Sequence, residues 1–198
     1  MLESLQNDRN NDIRRAVADA CGNIGDNDST RAILQSLQSD TDYDVRAAVA
    51  EACGNIGDND WTRAILESLQ NDRSAFIREA VAKACGNIGD KAWTRAILQR
   101  LQNDPDRLVR IAVTKACGNI GDNDSTRAIL ERLQNDPDRG VRQNVAFVCG
   151  RIGDKPWTRA ILEILQKDTD IVVRMIVAKA CGNIGDKPWT HVILESLQ

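Results

Sequence analysis

The sequence predicts an all-α protein, an α-solenoid of two-helix repeats, on three observations. The hexapeptide Cys-Gly-Asn-Ile-Gly-Asp at 21–26 returns at 53, 85, 117, 149 and 181, altered once, by Arg151, and always at the same 32-residue step. Each copy carries two stretches whose apolar residues recur at helical spacing. A fixed period of about 20–50 residues made from one such pair marks an array of stacked units, because two short helices cannot bury their apolar faces alone.

The first helix of a unit, A, follows Asp26. Thr30, Ile33, Leu34 and Leu37 fall at i, i+3, i+4 and i+7, and Asp26 is the expected N-cap. Pro156 and Pro188 sit in the first turn of later copies, where a missing N–H is tolerated. The connection from Ser39 to Asp42 appears elsewhere as Asn103-Asp104-Pro105-Asp106 and Asn135-Asp136-Pro137-Asp138, which is turn chemistry. Helix B then runs from about Tyr43 to Ile56 on the stripe Val45, Val49, Ala52, Cys53 and Ile56, and Gly57 stops it. Gly54 inside its last turn costs about 1 kcal/mol against alanine and predicts close approach of the preceding helix.

B helices are expected to start near residues 11, 43, 75, 107, 139 and 171, and A helices near 27, 59, 91, 123, 155 and 187, the last reaching 198. A half-helix stub, 1–6, precedes the first B helix, and its Leu2–Gln6 is identical to Leu194–Gln198. One array over 1–198 is the expected organisation. It begins and ends in the same phase with no polar capping unit, so end-to-end self-association is an expected consequence.

At 198 residues, 42% hydrophobic and 28% charged, the composition is that of an ordinary soluble protein. No apolar run approaches the roughly 20 residues of a membrane span, and the N-terminus has no signal-peptide pattern. A net charge of −3 argues against a general nucleic-acid binder. The cysteines fall one per unit, Cys21 through Cys181, at one helical position. Stacked equivalents would stand about 10 Å apart, beyond the roughly 7 Å reach of a disulfide. They are therefore expected to be small, buried, reduced core thiols, which implies the cytoplasm. His191 is the only histidine and no glycine-rich loop precedes a helix, so neither a His-based active site nor a phosphate cradle is expected. Neither metal nor cofactor is expected.

The copies differ in few columns, and helix B carries four main ones. The first holds Asn11, Tyr43, Ala75, Arg107, Arg139 and Ile171; the second, Asp12, Asp44, Phe76, Leu108, Gly140 and Val172. The third holds Arg15, Ala47, Glu79, Ile111, Gln143 and Met175, and the fourth Asp19, Glu51, Lys83, Lys115, Phe147 and Lys179. A milder column contains Ala16, Asn144 and Ile176. At about 100° per residue these project opposite the Val45, Val49, Cys53 stripe. Neutral drift on a solvated face would favour polar types, whereas these columns hold large apolar ones, which marks a partner site. Aromatic and aliphatic anchors in a charged surround suit a protein or peptide partner.

Among the constant residues, Arg46 and its copies Arg14, Arg78, Arg110, Arg142 and Arg174 are expected to fork onto connection carboxylates such as Asp40 and Asp72. The alternative use of such a row is contact with nucleic-acid phosphates. Trp61, Trp93, Trp157 and Trp189 are expected to cover the end of the core, and Asn23 and its copies to satisfy backbone groups.

The run from Asp40 through Val45-Arg46 to Cys53-Gly54-Asn55-Ile56-Gly57-Asp58 resembles the signature of short HEAT-like repeats of the kind found in phycobilisome lyases. It is also similar to artificial consensus scaffolds of that type. The resemblance spans essentially the whole chain and implies a right-handed α-α superhelix, a HEAT-like solenoid. It also implies that the B helices line the concave surface and that the variable columns lie there. A subunit of a bilin-lyase-type enzyme is the second function it suggests, although a shared repeat does not carry an activity with it.

Overall fold

The computed structural model describes residues 2–197. Thirteen helices appear, and no strand among the described residues. The stub is α1 (Leu2–Leu5). The B helices are α2 (Asn11–Ile24), α4 (Tyr43–Ile56), α6 (Ala75–Ile88), α8 (Arg107–Ile120), α10 (Arg139–Ile152) and α12 (Ile171–Ile184). The A helices are α3 (Asp28–Leu37), α5 (Asp60–Leu69), α7 (Ala92–Leu101), α9 (Asp124–Leu133), α11 (Pro156–Leu165) and α13 (Pro188–Ser196). Gln198, the expected end of the last A helix, lies outside the described residues. Two compact units are distinguished, one up to Ala116 and one from Cys117, the boundary falling inside α8.

Every B helix occupies the span its sequence predicts. Asp42, Asp138 and Asp170 cap three of them, each carboxylate accepting two backbone N–H groups of the first turn. The closing glycines, Gly57 among them, have φ of +90° to +98°, a conformation that side chains with a Cβ resist.

The A helices correct one expectation. Their N-cap is Asn27 or its equivalent, not Asp26. The Asn27 side chain accepts from Thr30 N–H while the Thr30 hydroxyl accepts from Asn27 N–H, and Asn59 with Thr62 repeats the pattern. Asp26 stands one residue outside that box and accepts instead from the indole N–H of Trp61 in the next repeat, at 3.1 Å. Where lysine replaces the asparagine, as at Lys91, only the threonine half of the box remains, and Lys91 Nζ reaches Asp58 at 2.9 Å.

In the first unit α2, α4 and α6 stack side by side, with α3, α5 and α7 packed on them. Its core holds Val45, Val49, Ile77 and Val81 from B helices and Leu34, Ile65, Leu66 and Leu98 from A helices. In the second, α10 stacks on α12 and α11 and α13 close one side over Val141, Val145, Val173, Val177, Ile161 and Leu162. Each such aliphatic side chain contributes about 1.5–3 kcal/mol on burial. Ile56, expected in the buried stripe, is only half-buried at the helix end, and Ile24 is exposed.

The close contact at Gly54 is made with the following B helix, not the preceding one. A Cβ there would stand 2.8 Å from Ala84 Cα, and Gly22 and Gly150 meet Ala52 and Ala180 in the same way. The arginine column joins successive repeats as expected. Arg14 forks onto Asp40 at 2.7 and 2.8 Å and Arg46 onto Asp72 at 2.8 and 3.2 Å, with Arg78–Asp104 and Arg142–Asp168 alike. The remaining Nη1 of each donates to carbonyls of its own connection, for example Asp40 O at 2.6 Å from Arg46. The tryptophans cover the core edge, Trp61, Trp157 and Trp189 being buried, and Trp93 donates to Asp58 at 3.0 Å. Asn23, Asn55 and Asn87 are exposed, and Asn119 accepts from Arg151 at 3.5 Å. All six cysteines are free and buried. Burial pushes the Cys53, Cys85, Cys117 and Cys149 thiols up to about 12. No helix of the described residues is long and apolar enough to cross a membrane.

Candidate functional site

The variable columns occupy the first two helical positions of each B helix and the positions one and two turns later, so they emerge on one face. In the first unit, Tyr43, Phe76 and Leu108 are exposed, and the rings of Tyr43 and Phe76 meet edge to face at 6.2 Å across neighbouring B helices. Around them Asp12, Arg15, Asp19, Glu51, Lys83, Arg107 and Lys115 are exposed, while Asn11, Asp44, Ala75, Glu79 and Ile111 are half-buried. Part of this surround is engaged within the chain: Asn11 donates to Asp42 at 2.9 Å, and Lys83 pairs with Glu79 at 2.8 Å.

Ala47 departs from the expected set. It is 2% exposed, because its helix is flanked by α2 on one side and α6 on the other and a methyl group does not project past them. It cannot touch a partner.

In the second unit, Phe147, Ile171 and Met175 are exposed, with Val172 and Ile176 half-buried beside them. Arg139 and Lys179 are the exposed charges; Arg139 Nη1 donates to Asp170 at 3.1 Å. Gln143 and Asn144 are half-buried, and Asn144 is turned onto the Gly140 carbonyl of its own helix at 2.8 Å.

The arginine row offers little to phosphates. Arg14, Arg46, Arg78 and Arg142 each hold an aspartate in two parallel bonds and are largely shielded from water. Their carboxylates show the same engagement. The fork from Arg14 holds Asp40 below the usual carboxylate range, as that from Arg142 holds Asp168. At Asp72 and Asp104 burial pushes upward, but the bonds from Arg46 and Arg78 and from a backbone amide carry the net shift down. Among the described residues no His, Cys, Asp and Glu side chains converge as metal ligands.

One apolar feature falls outside the B-helix columns. On α11 and α13, Ile164 and Val192 are exposed, and a shallow groove of about 260 Å³ lies between Arg159, Glu163, Trp189 and Val192. The Arg159 guanidinium lies over the Trp189 ring at 5.8 Å. The sequence holds the signal: Ile164 stands where other copies carry Ser36, Ser68, Arg100 and Arg132, and Val192 where they carry alanine.

Stacked two-helix repeats that share one core define a repeat scaffold of the α-solenoid class. The chain belongs to the HEAT-repeat family, whose model matches residues 1–84, 62–143 and 126–197. Solved structures agree in fold. YibA of Escherichia coli matches with a TM-score of 0.67 at 21% identity, over 99% of this chain and 79% of that one. The complex of CpcE and CpcF of phycocyanin lyase from Nostoc matches with 0.62 at 16%, over 99% and 92%. A designed armadillo repeat protein in complex with the peptide (KR)4 matches with 0.59 at 16%, over 93% and 98%. No curated protein matches the chain by sequence.

Proposed function

We propose that the chain is a non-catalytic scaffold that binds a protein or peptide through the variable face of its B helices. The observation that carries this reading is the exposure of large apolar side chains at the changing positions, from about half for Phe147 and Met175 to 70% for Ile171. Such side chains supply affinity when a partner removes them from water, and the surrounding charges orient it. Peptide binding by a designed neighbour of the same fold fits this use. Free cysteines suit a reducing compartment, and we place the protein in the cytoplasm.

Peptides selected from a display library against the intact chain provide the test. For a peptide bound by the second unit, Phe147→Ser with Met175→Ser should lower affinity about tenfold or more. The melting temperature should barely change. Tyr43→Ser with Phe76→Ser should act likewise on a peptide bound by the first unit. A melting temperature that falls as far as for Leu69→Ala, a core truncation costing about 2–5 kcal/mol, would make those side chains structural. Binding should also weaken only modestly with salt. A steep loss with rising salt would favour nucleic acid instead. Transfer of a bilin chromophore in a pigment assay would favour the lyase-type reading suggested by the Nostoc neighbour.

A further inference from the structure

Within each unit the repeats are joined by the same two contacts. A B-helix glycine lies against an alanine of the next B helix, as Gly22 on Ala52, Gly54 on Ala84 and Gly150 on Ala180. A B-helix arginine forks onto the aspartate 26 residues on, as Arg14 on Asp40 and Arg142 on Asp168. The free flank of α12 and α13 presents the first half of both contacts. A Cβ at Gly182 would meet nothing within 4 Å. Ala178 is half-exposed where Ala18, Ala50, Ala82 and Ala146 are fully buried, and Leu194 is exposed where Leu34, Leu66 and Leu162 are fully buried. Arg174 donates through Nη1 to Asp168 O and Thr169 O, and among the described residues no carboxylate meets its fork.

The free flank of α1 and α2 presents the second half. Ile13 is 37% exposed where its equivalents Val45, Ile77 and Val173 are 0% exposed, and Ala20 is half-exposed. The Asp8 carboxylate takes the backbone N–H of Asn10 at 2.8 Å, and among the described residues no arginine fork meets it.

We infer that a second copy of this chain docks its α2 against α12, head to tail, in the register of the internal repeats, so that Gly182 meets Ala20 and Arg174 meets Asp8. The two flanks are complementary in shape and opposite in charge at the matching positions. In that register the end of α13 takes the place held by α1, whose Leu2–Gln6 has the same sequence as Leu194–Gln198. The exchange favours α13, because its last turn extends a formed helix whereas α1 is an isolated turn of four residues. It covers Leu194 and Ile13 together. A heterologous contact of this kind repeats from copy to copy, so the species formed grow with concentration.

Sedimentation equilibrium of the full chain from micromolar to millimolar concentration should show mass rising with concentration. Gly182→Leu should abolish the rise without lowering the melting temperature, since the side chain fits the free flank and clashes only with the incoming Ala20. Arg174→Asp and Asp8→Arg should each remain monomeric alone and co-assemble in alternation when mixed, because every contact between unlike copies then joins an arginine to an aspartate. Leu2→Ser with Leu5→Ser weakens the displaced competitor and should shift the association midpoint to lower concentration. A wild-type chain that stays monomeric throughout, or a Gly182→Leu variant that associates like wild type, overturns the inference. A mixture of the charge variants that stays monomeric overturns the register.

Discussion

At the scale of single residues, what decides a position is the neighbour it meets, and Gly54 shows it. Gly54→Ala places a methyl 2.8 Å from backbone of the adjoining helix. It should destabilise the chain by about 1–3 kcal/mol in denaturant melts, despite alanine's better helix propensity. The same logic explains what the sequence could not convey. Ala47 sits in a changing column, but a changing column shows only that the fold tolerates change there, and a methyl too short to clear flanking helices is invisible to that reading. Asp26 and Asn27 are adjacent residues both suited to capping, and only the box with Thr30 separates them. The cysteines were readable, because one apolar position repeated in every unit leaves no partner for a disulfide. Their thiols, at about 12 for Cys53 and Cys85, should be almost inert to disulfide-exchange reagents near pH 8 in the folded chain and react on unfolding. Rapid reaction of the folded chain would show that the core opens locally.

At the scale of elements, the B helices were legible to the residue. Turn chemistry precedes each and a glycine ends it, and these signals owe nothing to tertiary packing. The A helices depend on a finer device. In α5, Asn59 and Thr62 satisfy each other's backbone N–H, and the Thr62 hydroxyl also donates to Gly57 O at 2.7 Å, tying the helix start to the end of the previous B helix. Asn59→Ala should cost about 1 kcal/mol, read as a lower denaturation midpoint at unchanged slope. In α7, Lys91 cannot accept from Thr94 N–H, and its link to Asp58 ties the repeats together instead. The exposed Ile164 and Val192 escaped a reading confined to B helices, because the A helices look nearly constant until their last two copies are compared column by column.

At the scale of the molecule, repeats held by like links should share one response to acid. Asp40, Asp72, Asp104 and Asp168 all have folded pKa values below their ordinary range, held there by an arginine fork from the preceding repeat. A depressed folded pKa means that the unfolded chain takes up the proton first as pH falls. The stabilisation is therefore whole above the unfolded value of about 3.9 and is lost as pH drops from there through the folded values. Because stability in a repeat array is close to a sum over units and their interfaces, the losses accumulate. Thermal melts should be level through neutral and mildly acidic pH and fall steeply below about pH 4. Arg46→Met isolates one link. It leaves Asp72 buried without its cation, which should lower stability at neutral pH on the order of 3 kcal/mol. It should also raise the Asp72 pKa, since burial then acts unopposed by the fork. The variant should accordingly lose less stability than wild type between pH 6 and pH 3. Equal acid slopes in the two proteins would place the acid sensitivity outside the ladder.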